Sequence, residues 1–158
     1  MRENGRKPHN CTVHSLPPSF PAFAPIPART ESPPTDPVPL TVSIVSHRQA
    51  ALIEPLIRQI ADRTAPGLIG RLVLTLNVPE DLPEDWADRV DFELEIIRNR
   101  VPAGFAANHN RALADCERGT VAILNPDLRL PDTPGAPDVL SLLSRAACAP
   151  GVGLAVPQ

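Results

Sequence analysis

The residues best equipped for chemistry in this chain lie between Val101 and Leu130, VPAGFAANHNRALADCERGTVAILNPDLRL, where a Gly/Asn-rich helix entrance leads to an apolar strand ending in Asn125-Pro126-Asp127. A run of bare hydrophobes such as Val121 to Leu124 reads as a central strand buried in a parallel sheet. Open α/β sheets bind ligands at the carboxyl ends of such strands, which aims Asp127 at a ligand. Gly104, without a Cβ, would admit close approach of its backbone to that ligand, and Asn108 and Asn110 offer side-chain amides to a phosphate or a base. That order of groups is what a nucleotide-diphosphate site needs. His109 has two readings: it orients the diphosphate, or it packs at helical spacing from Phe105 and Leu113. Phe105 itself is expected in the core.

The elements that must hold these groups alternate along the chain. Leu40 to Ser46 is β-branched and apolar enough for a strand, and Ala51 to Asp62 follows with Leu52, Leu56 and Ile60 at helical spacing. Pro55 is tolerable only near a first turn, so that helix is expected to begin late. After a turn at Pro66-Gly67, Arg71 to Asn77 is a second strand. Phe92, Leu94 and Ile96 alternate with Glu93 and Glu95, which predicts a third strand with one wet face at a sheet edge. A helix is expected over Ala103 to Glu117, then the buried strand from Thr120 to Leu124. Another helix covers Pro137 to Ala147, with Val139, Leu142, Leu143 and Ala146 on one side and proline suited to its first turn. Gly151 to Val156 reads as a last strand. Strands alternating with helices give an α/β domain whose parallel sheet is flanked by helices.

Composition divides the chain in two. Ten of the 21 prolines fall within the first 39 residues, where no helical or strand period is found. Residues 1–39 are therefore expected to be a disordered or extended Pro-rich tail, because proline fixes φ and removes donors while few apolar groups offset chain entropy. Residues 40–158 form the expected folded domain. The tail carries no uninterrupted apolar run of the secretory kind, and nowhere do the roughly 18 apolar residues of a membrane span occur in succession. A net charge of −3 without a basic cluster argues against nucleic acid as the main partner. Three cysteines, Cys11, Cys116 and Cys148, show no CxxC spacing and an odd count, which fits a reducing compartment and makes the cytoplasm the expected location. Cys116, on the predicted helix, is expected to be a small buried hydrophobe.

The sequence from Leu40 to Gln158 resembles family 2 of the inverting glycosyltransferases, and in particular its rhamnosyltransferase-like branch, which builds bacterial surface polysaccharides. The resemblance rests on LTVSIVSHRQ at Leu40 to Gln49, GFAANHN at Gly104 to Asn110 and LNPDLRL at Leu124 to Leu130, in that order and spacing. It implies the N-terminal, nucleotide-sugar-binding part of a GT-A (Rossmann-like) domain. It further implies a metal-dependent transfer of rhamnose or another hexose from a nucleotide-diphosphate donor to a glycan or lipid-linked acceptor. Peripheral membrane association is compatible with such an acceptor. Asn125-Pro126-Asp127 stands where the family has its DxD motif, so the resemblance makes Asp127 the ligand of a divalent cation, Mg²⁺ or Mn²⁺, whose coordination the donor phosphates complete. Asn125 departs from the full motif and leaves one carboxylate. The plain alternative makes Asp127 a turn residue after Pro126 and Asn125 a strand terminator.

By the same resemblance Gly104, Asn108 and Asn110 lie against the nucleotide, and Ser46, His47 and Arg48 after the first strand hold base and ribose. A polar loop without a ligand would look similar. Asn77 occupies the second-strand position at which the family commonly carries an aspartate touching the base, which leaves uridine, thymidine and guanosine donors open. Arg98, Asn99 and Arg100 either contact diphosphate or form a charged loop. An inverting transferase also needs a general base. The family's base comes from sequence after the metal motif, where this chain has only Asp132 and Asp138, and Asp138 suits a helix N-terminus better. The chain is thus expected to be the donor-binding half of a longer protein, truncated after Gln158, or else a catalytically inactive nucleotide-binding or interaction remnant.

Overall fold

The computed structural model describes residues 39–82, 90–116 and 119–157. The expectation for the Pro-rich tail falls on residues 1–38 and so lies outside the described residues, as does Glu117 at the end of one predicted helix. Seven elements follow in the order β1 (Leu40–Ser46), α1 (Ala50–Arg63), β2 (Ile69–Leu76), β3 (Glu93–Arg98), α2 (Phe105–Ala112), β4 (Val121–Leu124) and α3 (Val139–Ala147). The strands form one parallel sheet in the order β3-β2-β1-β4. The α/β architecture with a helix-flanked parallel sheet is therefore as the alternation of periods predicts.

Burial explains why these segments take these forms. Val42, Ile44, Leu72 and Leu74 alternate along β1 and β2 onto one face, where they meet Ile53, Leu56, Ile57 and Ile60 of α1 and Leu140 of α3 in a single core. Full burial of an aliphatic side chain stabilises by about 1.5–3 kcal/mol, so this cluster is the main source of cohesion. The opposite face carries Thr41, Ser43 and Val45 and receives α2. This division follows from topology. The path steps from β1 through α1 to β2 in one direction and from β3 through α2 to β4 in the other, and right-handed crossovers then put the two helices on opposite faces.

Four expectations need correction. First, α1 does not start late: it begins at Ala50 and contains Pro55. The bond Pro55 cannot donate would end at the carbonyl of Ala51, an exposed residue that water can serve, while four buried aliphatics hold the helix in place. Second, β4 is an edge strand, paired to β1 alone among the described residues. Its Val121 and Ile123 are 47% and 48% exposed, because α2 covers β1 and β2 rather than β4. Third, Gly151 to Val156 forms no strand: it finds no partner strand among the described residues, and Val152, Leu154 and Val156 are exposed. Fourth, α3 is anchored by Leu140, whereas Leu142, expected on the packed side, is exposed. β3, by contrast, lies at the other sheet edge as its alternating glutamates predict.

Asp138 does what a carboxylate at a helix start is expected to do. Its Oδ1 accepts the backbone N–H of Ser141 at 2.9 Å, capping α3, and its Oδ2 accepts that of Ala65 at 2.9 Å, tying α3 to the loop after α1. Asp138→Ala removes both bonds and is expected to lower stability by about 1–2 kcal/mol. Denaturant titration of the two proteins checks this; a change inside the experimental scatter would mean that water replaces both bonds.

Candidate functional site

The strand order reverses between β1 and β4: the chain runs outward from β1 to β2 and β3, then returns to β1's other side. In open parallel sheets the loops at such a point diverge and leave a crevice beyond the carboxyl ends of the strands. An open cleft of about 340 Å³ occupies that place. β1 contributes Val45, with His47 and Gln49 just beyond it; Asn77 comes from the end of β2, Phe105, Asn108 and His109 from α2, and Leu124 to Asp127 from the end of β4.

Of the residues singled out in the sequence, His47, Asn77, Asn108, Asn125 and Asp127 are thus brought together around one cleft. Ser46, Arg48, Gly104 and Asn110 are not among its lining residues. Ser46 is buried and its Oγ accepts the backbone N–H of Gln49 at 3.2 Å, shaping the loop that leads into α1. Arg48 is exposed in the same loop with φ of 61°, a left-handed conformation unusual for a side chain of its size. Gly104 precedes α2 with an ordinary φ of −67°, and a Cβ built on it would meet nothing within 4 Å, so sterics alone do not demand glycine here. Asn110 is exposed on α2. Arg98 and Arg100 are exposed outside the cleft.

Three buried asparagines build the wall between β2 and α2. Asn77 Oδ1 accepts from the backbone N–H of Ala103 at 2.8 Å and from Asn99 Nδ2 at 3.0 Å, while Asn77 Nδ2 donates to the carbonyl of Ala103 at 3.0 Å. The same Nδ2 lies 3.2 Å from Nδ1 of His47. Asn99 Nδ2 also donates to Asn108 Oδ1 at 2.8 Å, Asn108 Nδ2 donates to the Ala103 carbonyl at 3.1 Å, and Arg111 closes the network by donating to Asn99 Oδ1 at 2.9 Å. An amide offers two donors and two acceptor lone pairs, so Asn77 is fully committed within the protein. Asn108 keeps one N–H and one lone pair beyond its bonds among the described residues. Asn77 therefore shapes the site and Asn108 retains capacity for a ligand. The sequence offered Asn99 as a diphosphate contact or a member of a charged loop and not as part of this network, because its side-chain partners are 22, 9 and 12 residues away.

Two helix N-termini face this end of the sheet, and they differ. At α1 the backbone N–H of Ala50 donates to Glu80 Oε2 at 2.9 Å, so the chain's own carboxylate occupies the place where an anion would bind. α2 has no side-chain cap. Its first residue, Phe105, was expected in the core yet is 61% exposed at the cleft, since it stands before the point at which α2 meets the sheet.

His109 combines both of its sequence readings: it is packed, at 2% exposure, and it lines the cleft. Its Nδ1 lies 2.8 Å from Ser43 Oγ on β1, and the Phe105 ring meets it edge-on with centroids 4.3 Å apart. Burial pushes its pKa below the ordinary value of about 6.5. The unfolded chain consequently takes up this proton first as pH falls, so the stability is whole above pH 6.5 and is lost progressively below it, down to the folded-state value. Unfolding midpoints measured from neutral to acidic pH are expected to decline more steeply for the native chain than for His109→Asn. Parallel curves would assign the acid sensitivity elsewhere.

Asp127 is exposed at the mouth of the cleft and makes no hydrogen bond or ion pair among the described residues. No group of three or more His, Cys, Asp or Glu able to hold a metal is found among them. A lone carboxylate fits a hard cation that shares its coordination with ligand phosphates, as Mg²⁺ commonly does, and does not fit an all-protein metal centre. Asp132 pairs with Arg63, and Asp138 is the α3 cap, so neither offers a second carboxylate to the cleft. No helix among the described residues is long and apolar enough to cross a membrane. No protein-family model matches the chain, and no curated protein matches it.

Proposed function

We propose that this domain binds a nucleotide-diphosphate sugar together with a divalent cation, as the donor-binding part of an inverting glycosyltransferase of the GT-A, family 2 kind. The observation that carries this reading is the position of Asp127: a carboxylate unpaired among the described residues, at the end of β4 and on the cleft where the strand order reverses. The uncapped N-terminus of α2 beside it supplies further positive potential for phosphate. In such a transfer the acceptor hydroxyl attacks the anomeric carbon and gives its proton to a general base, as the bond from that carbon to the diphosphate breaks and its electron pair passes to the departing phosphate oxygen. A cation bound by Asp127 would supply charge neutralisation for that leaving group. The asparagine wall and His47 would bound the nucleoside side of the cleft, and the reading leaves the choice of base and of hexose open. The acceptor would be a glycan or a lipid-linked carrier.

A second reading has its own observation. The described residues place one carboxylate on the cleft and engage Asp132 and Asp138 elsewhere, so no general base is in view there. A module that binds nucleotide without transferring sugar would look the same at this site. Calorimetric titration of the diphosphates of uridine, thymidine and guanosine, with and without Mn²⁺, tests what the two readings share. The expected result is binding by one of them that strengthens with Mn²⁺; a folded chain that binds none overturns both.

A further inference from the structure

We infer that His109 is a specificity-determining contact of the cleft, its neutral Nε2–H serving as the hydrogen-bond donor that holds a phosphate oxygen of the bound nucleotide. The inference rests on the proposed nucleotide site and begins with hydrogen-bond bookkeeping at Ser43. Ser43 is wholly buried on β1, and its hydroxyl has one partner among the described residues, His109 Nδ1 at 2.8 Å. Were Nδ1 to carry a proton, it would donate to Ser43 Oγ, and the serine's own hydrogen would be buried with no acceptor. With the hydroxyl donating, Nδ1 is the acceptor and the ring proton sits on Nε2. A doubly protonated ring fails by the same count. Ser43 therefore fixes the tautomer.

Nε2 is the ring nitrogen left over. It is buried and makes no hydrogen bond among the described residues, although the residue lines the cleft. Buried polar groups are nearly always paired, and an orphan at a binding cleft is explained when its partner is a ligand atom. The Phe105 ring makes a T-shaped contact with the imidazole and is itself largely exposed at the cleft, so the proposed contact requires that exposed ring to turn aside and admit the phosphate. A phosphate oxygen is the fitting acceptor, because an ionised oxygen makes the stronger bond to a neutral N–H, and the first turn of α2, which has no side-chain cap and favours negative charge, opens on the same cleft through Phe105. A neutral donor also adds no positive charge that would compete with a cation on Asp127.

Two substitutions separate this role from packing. His109→Asn keeps an amide oxygen near the Nδ1 position to accept from Ser43 and removes Nε2, whereas His109→Gln places its terminal amide nearer Nε2. For whichever nucleoside diphosphate binds the native chain, His109→Asn is expected to weaken binding roughly tenfold to a hundredfold, with His109→Gln recovering most of the loss. The parent nucleoside should bind all three proteins alike. Long-range ¹H–¹⁵N correlation of the free protein should show the Nε2-protonated neutral ring, and Ser43→Ala should erase that preference. Diphosphate affinity unchanged in a folded His109→Asn protein, or an equal loss for nucleoside and diphosphate, overturns the inference while the nucleotide site stands. A Nδ1-protonated ring in the native protein overturns it without any ligand. If the native chain binds no nucleotide, the proposed site fails first and this contact falls with it.

Discussion

Asp127→Ala is expected to abolish the Mn²⁺-dependent part of nucleoside diphosphate binding, lowering affinity by on the order of a hundredfold or more. The size of the effect follows from the site's poverty in ligands. A cluster of carboxylates would share the loss among its members, but this cleft is lined by one. Removing it leaves a cation held by phosphates alone, as it is in solution. The fold should not respond, since Asp127 is exposed and bonded to nothing among the described residues; surface changes of that kind stay within about 0.5 kcal/mol. Calorimetry and thermal unfolding on the same samples make the comparison. An increment on adding Mn²⁺ that survives in Asp127→Ala would move the cation elsewhere and remove the main support for the proposed site.

Asn77→Ala is the change expected to cost the fold most among the residues of the cleft, about 3 kcal/mol. The truncation leaves the Ala103 N–H without its acceptor and takes one partner each from Asn99 Nδ2, the Ala103 carbonyl and His47. Each buried polar group so stranded costs about 1–3 kcal/mol, and water reaching the enlarged space returns part of it. For a domain of this size the midpoint should fall by roughly 10 °C. Nucleotide binding should weaken as well, because the loop that Asn77 holds at Ala103 leads directly into α2 and its cleft residues. A midpoint shift of no more than a degree or two would show that Asn99 and Asn108 re-pair around the gap and that the network is redundant.

These two residues illustrate what a linear reading reaches. The place of Asp127 on the cleft was legible because its signal is local, an apolar strand followed at once by Asn-Pro-Asp, although that strand lies at the sheet edge and not at its buried centre. Asp138 was legible for the same reason, as a carboxylate supporting a helix N-terminus, and it is the cap itself because α3 starts at Val139 and not at Pro137. Asn77 was found at the right strand end, but the sequence offered it as a contact to a base, whereas its amide is spent on Ala103 and Asn99. Nothing in a sequence reveals whether an amide is already satisfied. Likewise Phe105 and Val121 carry core-forming side chains, and only the placement of α2 over β1 and β2 left both exposed.

The sequence by itself determined the type of all seven elements, though not the absence of a strand over Gly151 to Val156, together with the parallel α/β class, the wet edge at β3 and the polar strand ends that line the cleft, because hydrophobic period and turn chemistry are properties of neighbouring residues. Tertiary structure alone decided which strand is central, which helix N-terminus is closed by Glu80 and which stays open, and the pairing of Ser43 with His109 across 66 positions of chain. The physical reason is that strand order and polar pairing are set by which distant segments bury one another's surface, a competition over the whole chain that no local pattern records.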